Sequence, residues 1–189
     1  MKIFAITPNY LNPSSFYKLI RRVEEMGVSH IYLRSPFLLN YQGLSDLIDL
    51  CLKSNVTPVL PYERWITLRG KDVLCHFKEK DKISLDIFLK QFPLHGFTSS
   101  SHSFDSAEIM FSKGADFVFL SPVFQPYSKK NYHLKPLELK GMKKITEKYG
   151  ERVVLLGGID FNRVKELKSK LGTDFSVAGI TMFFGDKDD

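Results

Sequence analysis

Short apolar runs alternate with amphipathic helical stripes along almost the whole chain, and this alternation limits the fold more than any other feature. Strands paired in parallel are covered on both faces, so they read as unbroken apolar runs followed by helices. The runs are KIFAIT, HIYLRS, TPVLPY, DVLCHF, HGFTSSS, DFVFLSPV, VVLL and DFSVAGIT. Helices are expected from about Ser14 to Met26, Gln42 to Lys53, Ser84 to Gln91, Ser103 to Lys113, Pro136 to Tyr149 and Phe161 to Leu171. Glu63 to Gly70 is too short for a full crossover helix, and only MFFGDKDD follows the last strand. The pattern predicts an α/β fold, a short-form (β/α)8 TIM barrel with degenerate helices after strands 3 and 8. Its 189 residues fall just under the roughly 200 usual for that barrel. An open doubly wound sheet is the competing architecture, and the missing G-x-G-x-x-G after the first strand counts against its dinucleotide-binding form.

Val153 to Gly172, VVLLGGIDFNRVKELKSKLG, is the most informative stretch. Gly157 and Gly158 remove two side chains where the backbone leaves a buried strand, so a ligand could approach the peptide N–H groups. Asp160 is placed to cap the next helix, which carries Phe161, Val164, Leu167 and Leu171 on one stripe and ends at Gly172. Such a turn at the carboxyl end of a barrel strand is where phosphate groups are held. Taken alone, a pair of glycines is more often only a tight turn.

Length and composition fit one soluble domain, 43% hydrophobic and 25% charged, with no apolar run near the roughly 18 residues of a membrane span. The N-terminus reads as the first strand and not as a secretory signal, so a cytoplasmic protein is expected. Cys51 and Cys75 lie in apolar stretches without metal-ligand spacing and read as reduced core residues. The net charge of +6 is spread over helix faces and loops, and no segment interleaves dense basic residues with aromatics, so nucleic acid is not the expected partner. A modest positive field suits phosphorylated small molecules.

In a barrel the ligand contacts come from the carboxyl ends of strands. Those segments hold Arg34, Tyr62 with Glu63, His76 to Asp81, Ser99 to His102, Ser121 to Lys130, Gly157 with Gly158, and Ile180 with Thr181. Ser128, Lys129 and Lys130 combine hydroxyl and ammonium donors suited to a phosphate or pyrophosphate. Glu63 and Asp81 could share a Mg²⁺ with a substrate pyrophosphate, although each alone is an ordinary surface charge. His76, in an apolar strand, reads as a satisfied core histidine. Ser99 to Ser101 followed by His102 lacks the G-x-S-x-G elbow of a hydrolase.

These segments resemble the thiamine phosphate synthase and thiazole tautomerase (TenI) family over nearly the whole length. The matching motifs are S-x-H-S at Ser100 to Ser103, GADFVFLSPVF at Gly114 to Phe124 with Ser128 and Lys129, GGI at Gly157 to Ile159, and VAGIT at Val177 to Thr181, with weaker matches near Ile6 and at Tyr32 to Arg34. The resemblance implies a (β/α)8 barrel that joins hydroxymethylpyrimidine pyrophosphate to thiazole phosphate, with Mg²⁺ present. It implies that Gly158 and the turn at Ile180 and Thr181 hold the thiazole phosphate, and that Lys129, Ser100 and Arg34 neutralise the departing pyrophosphate. Glu63 and Asp81 take the metal positions. The partners implied are phosphorylated thiazole and pyrimidine molecules, and the resemblance leaves room for a homodimer. This chain departs from the synthase pattern at Tyr32, Pro36, Tyr62 and Pro126. Where the tautomerases carry their catalytic histidine it has Pro122, so in a tautomerase His102 would have to shuttle the proton.

Overall fold

Side chains alternate across each strand of this chain, and the alternation sorts them into two separate cores. A computed structural model describes residues 1–68, 71–125 and 134–184. Strands β1 (Ile3–Ile6), β2 (His30–Tyr32), β3 (Thr57–Pro61), β4 (Leu74–Phe77), β5 (Phe97–Ser101), β6 (Phe117–Leu120), β7 (Val153–Leu156) and β8 (Ser176–Gly179) pair in parallel and in chain order. β8 closes on β1, so the sheet is a barrel without edges. The open-sheet alternative is excluded. Phe4, Ile6, Tyr32, Val59, Phe117, Phe119, Val154 and Ala178 fill the barrel. Their neighbours Ala5, Ile31, Leu60, Val118, Leu155 and Val177 point outward to the helices.

The helices are α1 (Pro13–Glu25), α2 (Pro36–Leu39), α3 (Leu44–Lys53), α4 (Tyr62–Trp65), α5 (Lys82–Gln91), α6 (Phe104–Ser112), α7 (Leu139–Tyr149), α8 (Phe161–Leu171) and α9 (Thr181–Phe184). The helix after β3 is a single turn, as the spacing predicts, and among the described residues so is the helix after β8. Trp65 compensates for the first of these. Its fully buried ring packs against Phe88 and Phe92, and its Nε1–H donates to the Val73 carbonyl at 3.1 Å. One side chain thus covers the barrel wall where a whole helix is absent.

Several boundaries differ from the sequence expectation for local reasons. Pro36, whose ring favours the first turn of a helix, starts the extra turn α2, and α3 begins only at Leu44. α7 begins at Leu139 and not Pro136, because the Leu137 N–H is drawn to the Pro122 carbonyl. Among the described residues no helix is long and apolar enough to cross a membrane.

The turn from β7 into α8 follows the sequence closely. Asp160 caps α8 by accepting from the Arg163 N–H at 2.8 Å, and Gly172 ends it in the left-handed conformation at φ 64°. Asp160→Ala removes the acceptor for an amide that has no intrahelical partner, and is expected to lower stability by about 1 kcal/mol. A urea midpoint displaced downward with an unchanged slope would confirm this; an unmoved midpoint would mean that solvent replaces the cap.

Candidate functional site

The parallel strands all end at one mouth, and Thr7, just past β1, organises its first cation. Its hydroxyl donates to the Tyr32 carbonyl at 3.2 Å and accepts from the Arg34 N–H at 2.9 Å and the Ser35 N–H at 3.2 Å. The Arg34 Nε–H donates to the Thr7 carbonyl at 3.1 Å. A completely buried threonine therefore holds both the backbone and the guanidinium of Arg34. Nothing in the sequence marks Thr7 beyond its place at a strand end. Outside this rim, Pro13, Pro36, Phe37, Asn40, Tyr41 and Gln42 border a shallow cleft of about 540 Å³ that none of the expected site residues lines.

Tyr32 rises from the barrel interior toward the mouth and reports which charges meet there. Burial pushes its phenol well above the usual range; Arg34 opposes that shift, and Glu63 and Asp81 add to it. One cation and two carboxylates, drawn from the ends of β2, β3 and β4, thus lie within electrostatic reach of one hydroxyl. Asp81 also closes its own turn by accepting from the Lys78 N–H at 2.9 Å. Among the described residues no three His, Cys, Asp or Glu side chains converge as a metal cage. Mg²⁺ ordinarily takes only one or two carboxylates and completes its shell with water and substrate phosphates, and Glu63 and Asp81 offer oxygen donors of that chemical kind. Tyr62 behaves differently from Tyr32. Its ring stacks on Phe77 at 5.4 Å and meets Phe88 edge-on, in the layer between barrel and helices.

The opposite side of the mouth is built by β5 and β6. Ser100 faces inward, and its Oγ lies 3.0 Å from Nε2 of His76, whose Nδ1 lies 2.7 Å from Oγ1 of Thr98. His76 is buried, as a satisfied core histidine should be, and burial followed by the nearby Lys78 pushes its pKa down to about 3. At neutral pH it is an uncharged ring with one N–H. His102 is exposed at the end of β5, with Nδ1 at 2.9 Å from the Ser121 carbonyl. The Ser121 Oγ lies 3.2 Å from the same nitrogen; the carbonyl is closer and only accepts, so the geometry favours the proton on Nδ1, with Nε2 turned to other partners.

The β7 glycines sit beside β8 at the same mouth. Leu156 pairs with Ala178, so the glycine turn that follows β7 and the residues that follow β8 leave neighbouring strands on the same side of the barrel. Both glycines have positive φ, 103° and 60°. The reason for them differs from the sequence expectation. A Cβ on Gly157 would meet Pro122 Cα at 3.0 Å, and one on Gly158 would meet the Gln125 carbonyl oxygen at 2.6 Å. The missing side chains make room for the loop after β6, whose Val123 and Phe124 N–H groups donate to the Leu156 and Gly157 carbonyls at 2.9 and 3.0 Å. The Gly158 carbonyl accepts from the Arg163 guanidinium, which stacks on Phe124. The N–H groups of Gly157 and Gly158 donate to no protein acceptor among the described residues, so they remain usable by an anion. Ile180 packs against the barrel-interior cluster. Pro126, Ser128, Lys129 and Lys130 lie outside the described residues, as does the Thr181 side chain.

The structure therefore sets Arg34, Tyr32, Glu63 and Asp81, with Ser100, His102 and the Gly157–Gly158 turn, at the carboxyl ends of strands that share one mouth. Residues 96–182 match the family model described as thiamine monophosphate synthase. "Putative thiamine-phosphate synthase 2" of Aquifex aeolicus is 28% identical over 185 residues, covering 96% of this chain and 97% of that protein. Among solved structures, thiamine phosphate pyrophosphorylase from Pyrococcus furiosus superposes with a TM-score of 0.75 at 21% identity, covering 99% of this chain and 89% of the other. The 3-hexulose-6-phosphate synthase of Salmonella typhimurium gives a TM-score of 0.67 at 15% identity, over 96% and 90% of the two chains. These structural likenesses carry the barrel fold, while the sequence matches span the strand ends from β5 to β8 and, in the Aquifex relative, nearly the whole chain. From β5 through the turn after β8, and more weakly along nearly its whole length, the chain is similar to thiamine monophosphate synthases.

Proposed function

We propose that this protein joins a hydroxymethylpyrimidine pyrophosphate to a thiazole phosphate, forming thiamine phosphate and releasing pyrophosphate. The observation that carries the reading is the placement of Arg34, Glu63 and Asp81 after the ends of β2, β3 and β4, at the mouth of a closed barrel similar to thiamine monophosphate synthases. In such a transfer the C–O bond to the pyrophosphate breaks as the thiazole nitrogen forms a C–N bond, and the departing oxygen takes the electron pair. The barrier falls when fixed donors meet that developing anion. Arg34 supplies a guanidinium held in place by Thr7, and Ser100 supplies a hydroxyl held by His76. The resemblance adds Ser128 and Lys129 as further donors. The Gly157 and Gly158 amides, with the turn at Ile180 and Thr181, take the thiazole phosphate and orient its ring. Mg²⁺, when held by Glu63 and Asp81, supplies further neutralisation of the pyrophosphate charge.

The test is to incubate purified protein with both substrates, with and without Mg²⁺, and to measure thiamine phosphate. Magnesium-dependent product is expected. Measurable binding of thiazole phosphate without any product would eliminate the transferase and leave a binding protein. One observation favours a second reading, an isomerase that aromatises a thiazole carboxylate phosphate by proton transfer. The Ser121 carbonyl favours the His102 proton on Nδ1, which leaves Nε2 to act as a base without a metal. Conversion of that substrate in the presence of a chelator, lost in His102→Gln, would favour it.

A further inference from the structure

We propose that His76 is a positioning residue that turns the Ser100 hydroxyl toward the mouth as a hydrogen-bond donor, so that Ser100 can serve an anion there. The inference rests on the synthase reading for the identity of that anion, but not for the geometry. His76 lies between two hydroxyls, Thr98 Oγ1 at 2.7 Å from Nδ1 and Ser100 Oγ at 3.0 Å from Nε2. The imidazole is neutral in its buried setting and has one hydrogen to place. Each hydroxyl also has one, so only two consistent arrangements exist.

In the first, Thr98 donates to the Cys75 carbonyl, Nδ1–H donates to Thr98, and Ser100 donates into the ring. Ser100 then shows only lone pairs to the mouth and repels an anion. In the second, Thr98 donates to Nδ1, Nε2–H donates to Ser100, and the Ser100 hydrogen points outward. Distances favour the second. The Thr98 hydroxyl is 3.4 Å from the Cys75 carbonyl, at the outer limit of a hydrogen bond, but 2.7 Å from Nδ1, where such bonds are strong. An anion at the mouth reinforces the choice, because it accepts only from a hydroxyl whose hydrogen is free.

The ring is also prevented from wandering. Tyr32 lies against it with centroids 4.5 Å apart, and Phe119 meets it edge-on at 5.3 Å. Between these rings and two hydroxyls the imidazole keeps one orientation, and the direction of the Ser100 hydrogen follows from it. Thr98, completely buried, is the end of the relay.

Imidazole nitrogen–proton correlation spectra of the ¹⁵N-labelled protein at neutral pH test the arrangement directly, first alone and then with saturating inorganic pyrophosphate. A proton on Nε2 in both states is expected. A proton on Nδ1 of His76 in either state overturns the proposal, whether or not the protein proves to be a synthase. In turnover, His76→Phe should lower kcat about ten- to a hundredfold with little change in KM, and His76→Gln, whose amide can still donate to Ser100, should recover most of the loss. In a Ser100→Ala background, His76→Phe should have no further effect; additive losses would mean that His76 acts independently of Ser100. If the protein makes no thiamine phosphate, the synthase reading fails, and the tautomer together with weakened pyrophosphate affinity in His76→Phe still decides the proposal. Should His76→Phe fail to fold, the wild-type tautomer decides it.

Discussion

Acidification from pH 7 to pH 5 is expected to remove roughly 4 kcal/mol of stability, through two histidines that the barrel keeps uncharged. His76 has its pKa pushed down to about 3, by burial first and Lys78 second; His30 has its own pushed down to about 4, by burial first and Lys2 second. Both point into the barrel, where His30 stacks on Phe4 with centroids 4.2 Å apart and His76 meets Phe119 edge-on. In the unfolded chain each ring takes up a proton below about pH 6.5, whereas in the folded chain neither does so until about pH 4 or below. The folded pKa values are depressed, so the stability is fully present above pH 6.5. It is lost as the pH falls toward the folded values, at roughly 1.4 kcal/mol per pH unit for each ring. Carboxylates titrate mostly below this window, so the two histidines dominate it. Urea midpoints at pH 7, 6 and 5 provide the measurement, and His30→Phe, which keeps a ring against Phe4, should halve the slope. Equal stability at pH 7 and pH 5 would mean that water or a counter-charge reaches these rings.

The strand that opens onto the glycine turn shows what a single sequence can reveal. Val153–Leu156, Asp160 as a cap and Gly172 as a stop were legible because each signal is local: a covered run, an acceptor before an amphipathic stripe, a residue tolerant of positive φ. The degenerate crossovers were legible from spacing alone. What could not be read depends on pairs far apart in sequence. Thr7 holds Arg34 from 27 positions away, and His76 reaches Ser100 across 24, and neither partner differs locally from any threonine or histidine in an apolar run. Trp65 as a substitute for a helix is equally invisible, because its value lies in Phe88 and Phe92. The strand-end rule selected Arg34, Glu63 and Asp81 by their place after β2, β3 and β4, but it could not distinguish Tyr32, which stands in the barrel, from Tyr62, which faces the helices.

Gly158→Ala should be the most damaging small substitution in the turn after β7, and Gly172→Ala is its control. The two glycines have nearly the same φ, 60° and 64°. An added methyl at Gly172 meets nothing within 4 Å, so that variant isolates the penalty for placing alanine at positive φ, about 1 kcal/mol. At Gly158 the same methyl lies 2.6 Å from the Gln125 carbonyl oxygen and 3.0 Å from Phe124 Cβ. The first of these is backbone and cannot be relieved by a rotamer change. Either the loop after β6 retreats, losing the hydrogen bonds from Val123 and Phe124 to the end of β7, or the turn itself shifts. Stability should fall by about 2–3 kcal/mol. The turn also carries the two amides left for an anion, so affinity for inorganic phosphate or thiazole phosphate should drop about tenfold or more in Gly158→Ala and stay unchanged in Gly172→Ala. Urea denaturation and titration calorimetry on the two variants separate these effects. Equal destabilisation in both would show that the β6 loop yields freely, and normal phosphate affinity in a folded Gly158→Ala would remove this turn from the binding site.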